Sequence, residues 1–181
     1  MGNNNSSVAE QEVNAQSVSL LLSTTLSEYS SEHERTATLD SKAGIALPIL
    51  ATYFLAFAQM NNYKSIIAIP IDDFFSSLLP IAIFLSYTAG LLLSATSAAF
   101  MAKVLFVKDY CRINPVDLYN EEYLLQPYND FSIKLMHLYF KAVEFNRKVN
   151  NERARLYQRS WLLTFISVIC FVVYIMINSN I

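Results

Sequence analysis

The chain has 181 residues, of which 54% are hydrophobic and only 15% charged, with a net charge of −2. That length is about one domain's worth, but the charges avoid three long windows, which excludes an ordinary soluble core and points to a bilayer-spanning protein. The net charge says little by itself and its distribution says more; no nucleic-acid partner is expected.

Residues 1–14 are Asn- and Ser-rich and read as a disordered tail. Residues 15–42 read as a cytoplasmic amphipathic helix, with Val18, Leu21, Leu22, Thr25, Leu26 and Tyr29 on one face. Residues 43–62 hold no charge, and their 20 residues reach about 30 Å at helical rise, enough for one transmembrane helix. Pro48 lies inside this span, where a membrane helix tolerates it as a kink. Residues 63–77 read as a short external loop.

The uncharged run Phe74 to Ala102 is longer than a span needs. A second transmembrane helix is therefore expected over 78–102, with Pro80 in its first turn. Residues 103–159 form a basic segment, expected to be a turn-containing stretch up to Pro127 and helical after it. No Pro or Gly follows Pro127, so one helix can run from about Asn129 into a third transmembrane helix over 160–179, with Trp161 as an interfacial anchor. The expected fold is all-α: an integral membrane protein with three transmembrane helices and a helical cytoplasmic segment between the second and third.

Lys and Arg set the orientation. The 103–159 segment carries ten of the 13 basic residues, so it is expected in the cytoplasm. The N-terminus then lies in the cytoplasm and the C-terminus outside, which is the periplasm for a bacterial inner-membrane protein. Cys111 and Cys170 fall in different compartments, which argues against a disulfide.

Three features could carry function. After Pro127, Phe131, Leu135, Leu138, Ala142, Phe145, Val149 and Leu156 follow a coiled-coil-like spacing, interrupted by Glu152. Beside that seam, Lys134, Lys141, Lys148 and Arg155 recur every seven residues. With Arg147 and Arg112, the residues Lys141, Lys148 and Arg155 are candidates for a phosphate site; contact with anionic lipid is the alternative. In the second span, Ser86, Gly90, Ser94, Ser97 and Ala98 share helical spacing that suits close helix packing or the lining of a pore built from several copies. At the entrance to the first span, Arg35, Asp40 and Lys42 form a charged collar. Asp40 and Lys42 cannot face each other two residues apart on a helix; Asp40 is expected to meet water or an arginine such as Arg155 or Arg159.

No Gly-rich phosphate loop, nucleophile elbow, His-carboxylate cluster or metal-ligand spacing appears, so neither an enzyme nor a cofactor or metal site is expected. No charged residue lies at the centre of a span, which disfavours a proton-coupled transporter.

The Asp40-x-Lys42-Ala43 element, the short hairpin to a second span, the Asn114-Pro115 stretch with Glu121-Glu122-Tyr123-Leu124, the long helix and the final span together resemble the transmembrane effectors of Pycsar antiphage systems. The resemblance covers about residues 25 to 180. It implies a homo-oligomeric effector in the bacterial inner membrane, activated by cyclic CMP or cyclic UMP from a partner pyrimidine cyclase, that compromises the lipid bilayer and causes abortive infection. It does not imply where the nucleotide binds. The residues alone also allow a non-enzymatic membrane scaffold that recruits a cytoplasmic partner through the 131–156 seam.

Overall fold

Once a helix is nucleated, each added residue costs little, and this chain has few residues that stop one. A computed structural model describes residues 4–60, 74–106, 110–114 and 125–178. They form helix α1 over Asn4–Gln59, α2 over Phe74–Phe106 and α3 over Tyr128–Asn178. Among the described residues there is no strand. All three helices are long and apolar enough to cross a membrane, so the protein is an all-α, three-helix membrane protein.

Several boundaries differ from the sequence expectation. Helix α1 begins at Asn4 and does not stop before the first span. Most of the expected tail over 1–14 is therefore helical, because extending a formed helix needs no new nucleus. Helix α2 begins at Phe74, which puts Pro80 inside it rather than in its first turn. Proline there removes one helical hydrogen bond, a loss that membrane helices accommodate. Much of the 63–77 loop, Lys108, and the Glu121 to Leu124 element lie outside the described residues.

The least exposed positions recur at alternating steps of three and four on every helix. On α1 they run Val18, Leu22, Thr25, Tyr29, Glu32, Thr36, Leu39, Ala43, Ala46, Leu50, Tyr53 and Phe57. On α2 they run Ile83, Tyr87, Gly90, Ser94, Ser97, Met101 and Val104. This is the spacing of helices that meet along a heptad seam. Leu21 and Leu26, expected on the α1 stripe, are exposed.

On α3 the buried row is Ser132, Asn146, Asn150, Arg153, Ser160, Ser167 and Tyr174, with Ala142 and Val143 beside it. The apolar seam expected from sequence lies largely one residue earlier. Its members Leu138 and Phe145 are exposed, at 42% and 46%. The buried side of α3 is thus largely polar, and the hydrogen bonds below give the reason.

The chain divides into two compact units. Leu39–Val107 with Arg153–Ile181 makes an apolar unit. It has two core clusters. Ala43, Ala46, Leu50, Met101 and Val104 form one; Phe57, Ile83, Tyr87 and Tyr174 form the other. Outside these clusters, Ile49, Leu55, Phe84, Leu92, Phe165 and Met176 are exposed, as lipid-facing side chains would be. Met1–Thr38 with Lys108–Glu152 makes the second, more polar unit.

Candidate functional site

In the polar unit, α3 turns amides rather than apolar side chains toward α1. Asn150, 1% exposed, donates from Nδ2 to the Glu32 carbonyl at 3.0 Å and to Glu32 Oε2 at 2.9 Å. The Thr36 hydroxyl lies 3.0 Å from Asn150 Oδ1. Glu32 is buried but charge-matched. Arg147 Nε donates to its carboxylate at 3.4 Å, and Arg35 lies 3.7 Å away. Arg147 also binds Glu28 at 2.6 Å, and Arg35 donates to Asn151 at 2.9 Å. Glu32, Thr36 and Asn150 thus each meet a complement, which is what a buried polar network requires.

One turn earlier, the fully buried Asn146 grips the main chain of residue 111. Its Oδ1 accepts from Cys111 N at 2.8 Å, and its Nδ2 donates to Cys111 O at 3.2 Å. The Tyr29 hydroxyl donates to the same carbonyl at 3.5 Å and accepts from Ile113 N at 3.4 Å. The irregular segment 110–114 is therefore held as a strap by side chains of both α1 and α3.

A cavity of about 660 Å³ lies under this strap. Tyr110, Cys111, Arg112 and Ile113 form its wall; Leu138, Lys141, Ala142 and Phe145, on one face of α3, form its floor. Among the described residues, its lining holds two cations and no carboxylate. The Tyr110 hydroxyl is shielded from solvent and completes no hydrogen bond of normal geometry, although Tyr29 and Glu32 are near it. Burial, and then the neighbouring Tyr29, push its pKa up from 10.0 to about 12, against a smaller pull from Arg112.

The structure separates the basic residues singled out by sequence. Arg112 and Lys141 come together at the cavity. Arg147 is committed to Glu28 and Glu32. Lys148 and Arg155 are exposed and, among the described residues, form no ion pair. Sequence reasoning missed Asn146, Asn150 and the strap; an Asn pair four residues apart inside a basic helix was the available signal.

The collar is divided as well. Arg35 belongs to the polar unit. Asp40 and Lys42 belong to the apolar unit, where Lys42 is exposed. Asp40 pairs with Arg153, not with Arg155 or Arg159. Arg153 is 3% exposed and also donates from Nε to the Val104 carbonyl at 3.0 Å. A cation at the last turn of α2 suits the negative end of that helix, so one guanidinium ties three helices.

The small residues of α2 pack within the chain. Ser97 and Ser160 each donate to the other's main-chain carbonyl, at 2.7 and 2.8 Å. Ser167 donates to the Gly90 carbonyl at 2.8 Å, which requires the two backbones to approach closely. Gly90, Ser94 and Ser97 are buried, Ser86 and Ala98 half-buried. Ser86 and Ser94 bond back to their own helix. No protein-family model, curated protein or solved structure matches the chain.

Proposed function

We propose that the chain is a ligand-gated membrane effector of bacterial antiphage defence. A cyclic pyrimidine nucleotide, cyclic CMP or cyclic UMP, from a partner cyclase binds the polar unit on the cytoplasmic side. Copies of the chain then compromise the inner membrane. The observation that carries this reading is the cavity of about 660 Å³ bordered by Arg112 and Lys141. Its size is that of a small-molecule site, and its cations suit a phosphate. The resemblance through Asp40, Lys42 and Ala43, and the concentration of basic residues in the 103–159 segment, support it further.

Purified protein in dye-loaded liposomes tests it directly. Leakage should begin on addition of cyclic CMP or cyclic UMP. Intact liposomes with either nucleotide, in protein shown to be inserted, would refute the reading.

The exposure of Leu138 and Phe145 favours a second reading, a scaffold that docks a protein partner on that face. A stoichiometric partner in a pulldown that is lost in Leu138→Glu, with no response to nucleotide, would select it.

A further inference from the structure

The cavity's chemistry is narrower than "basic". Three of its four floor residues, Leu138, Ala142 and Phe145, are apolar, the last an aromatic ring. Two cations stand at this surface, and Lys141 lies between Leu138 and Ala142 in sequence on the same helical face. A metal ion finds no anionic ligand among the described lining residues. Inorganic phosphate would use the cations and leave the apolar floor in water. An uncharged apolar molecule would leave the cations without a counter-charge. One class of occupant satisfies both halves: a small anion carrying a flat ring.

The wall is also pre-set for such a guest. Asn146 and Tyr29 fix the main chain of Cys111 and Ile113 from outside the cavity, so ordering the strap costs little on binding.

We infer that this cavity binds an aromatic phosphate of mononucleotide size, with Arg112 and Lys141 on the phosphate and Phe145 against the ring. In naming a cyclic nucleotide as the natural occupant, this assignment rests on the function proposed above. The exposed row continued by Lys148 and Arg155 takes no part in it.

Calorimetric titration of the full chain in nanodiscs of zwitterionic lipid tests the assignment. The probes are cyclic CMP, cyclic UMP, 1-naphthyl phosphate and inorganic phosphate. Arg112→Ala and Lys141→Ala should each weaken the aromatic phosphates about tenfold to a hundredfold, as expected for losing a hydrogen bond to a charged group. Phe145→Ala should weaken them about tenfold through lost stacking. Lys148→Ala with Arg155→Ala should leave affinity unchanged, and inorganic phosphate alone should bind far more weakly than 1-naphthyl phosphate. Arg112, Lys141, Phe145, Lys148 and Arg155 are all exposed, so these are surface changes, and unchanged unfolding temperatures will certify each variant as folded.

The outcomes separate the two readings. Cyclic-nucleotide binding that survives Arg112→Ala with Lys141→Ala overturns the cavity and leaves the function standing. Loss of 1-naphthyl phosphate binding in those variants, with no cyclic-nucleotide binding in the wild type, keeps the cavity and overturns the function. Competition by anionic lipid that depends on Arg112 and Lys141 assigns the cations to a lipid headgroup and overturns the assignment. A folded wild-type chain that binds no aromatic phosphate overturns both.

Discussion

Two glycines on different helices should respond to the same substitution with opposite signs. A Cβ placed on Gly90 would lie 2.6 Å from Phe57 Cε1 and 2.8 Å from Cζ. To regain a contact of 3.4 Å, the ring would have to withdraw by about 0.8 Å. It has no room to do so. Phe57 is 1% exposed, with Phe171 at a centroid distance of 4.5 Å, Tyr87 at 5.2 Å, Tyr53 at 6.2 Å and Tyr174 at 6.4 Å. Overpacking a close-packed site costs about 1–3 kcal/mol, and replacing glycine in a helix returns about 0.5–1 kcal/mol. Gly90→Ala should therefore destabilise the chain by about 1 kcal/mol, the difference between the mid-range values of those two terms. A Cβ on Gly44 meets nothing within 4 Å, so Gly44→Ala keeps only the gain of about 0.5–1 kcal/mol. Reversible unfolding in mixed micelles reads both. Phe57→Leu should partly restore Gly90→Ala, because the two positions share one contact. A Gly90→Ala chain as stable as wild type, or a Gly44→Ala chain that is less stable, would refute the packing argument.

Further outcomes follow from the polar contacts. Asp40 is the more exposed partner of its ion pair, yet Asp40→Ala should destabilise more than Arg153→Met in the same unfolding assay. The first leaves a buried guanidinium without its anion, whereas the second replaces it with an apolar side chain of similar reach. Asn146→Ala should cost about 1–3 kcal/mol by removing the acceptor of the Cys111 amide, the carbonyl keeping its bond from Tyr29, and hydrogen exchange at the strap should accelerate while the rest of α3 stays protected. Tyr110 has a folded pKa of about 12 against an ordinary 10.0. Its contribution to stability is thus complete below pH 10 and is lost as the pH rises toward 12. Tyr110→Phe should remove that alkaline decline, and the difference absorbance of tyrosinate at wild-type minus variant should titrate near 12 rather than 10.

Span count and helical class were legible because apolar length alone decides them. The register of α3 was not, and the reason lies on another helix. Hydrophobicity read along α3 picks Leu138, Ala142 and Phe145 as the buried row. The opposing stretch of α1, however, turns Glu32 and Thr36 inward, and those groups need donors and acceptors when they lose water. Asn150 and Arg147 satisfy Glu32, and Thr36 pairs with Asn150. Asn146 meanwhile takes the main chain of the strap. Polar complementarity between two segments more than 100 residues apart thus sets the rotation of α3. No single-helix pattern contains that information. The candidate site follows from the same rotation. With Asn146 and Asn150 facing α1, the apolar residues one position earlier are carried out of the seam. Leu138 and Phe145 then line the cavity across from the strap, with Lys141 on the same face. Three residues of the apolar seam that the sequence offers as a docking stripe, Leu138, Ala142 and Phe145, therefore line the cavity, while Leu156 packs against the core of the apolar unit.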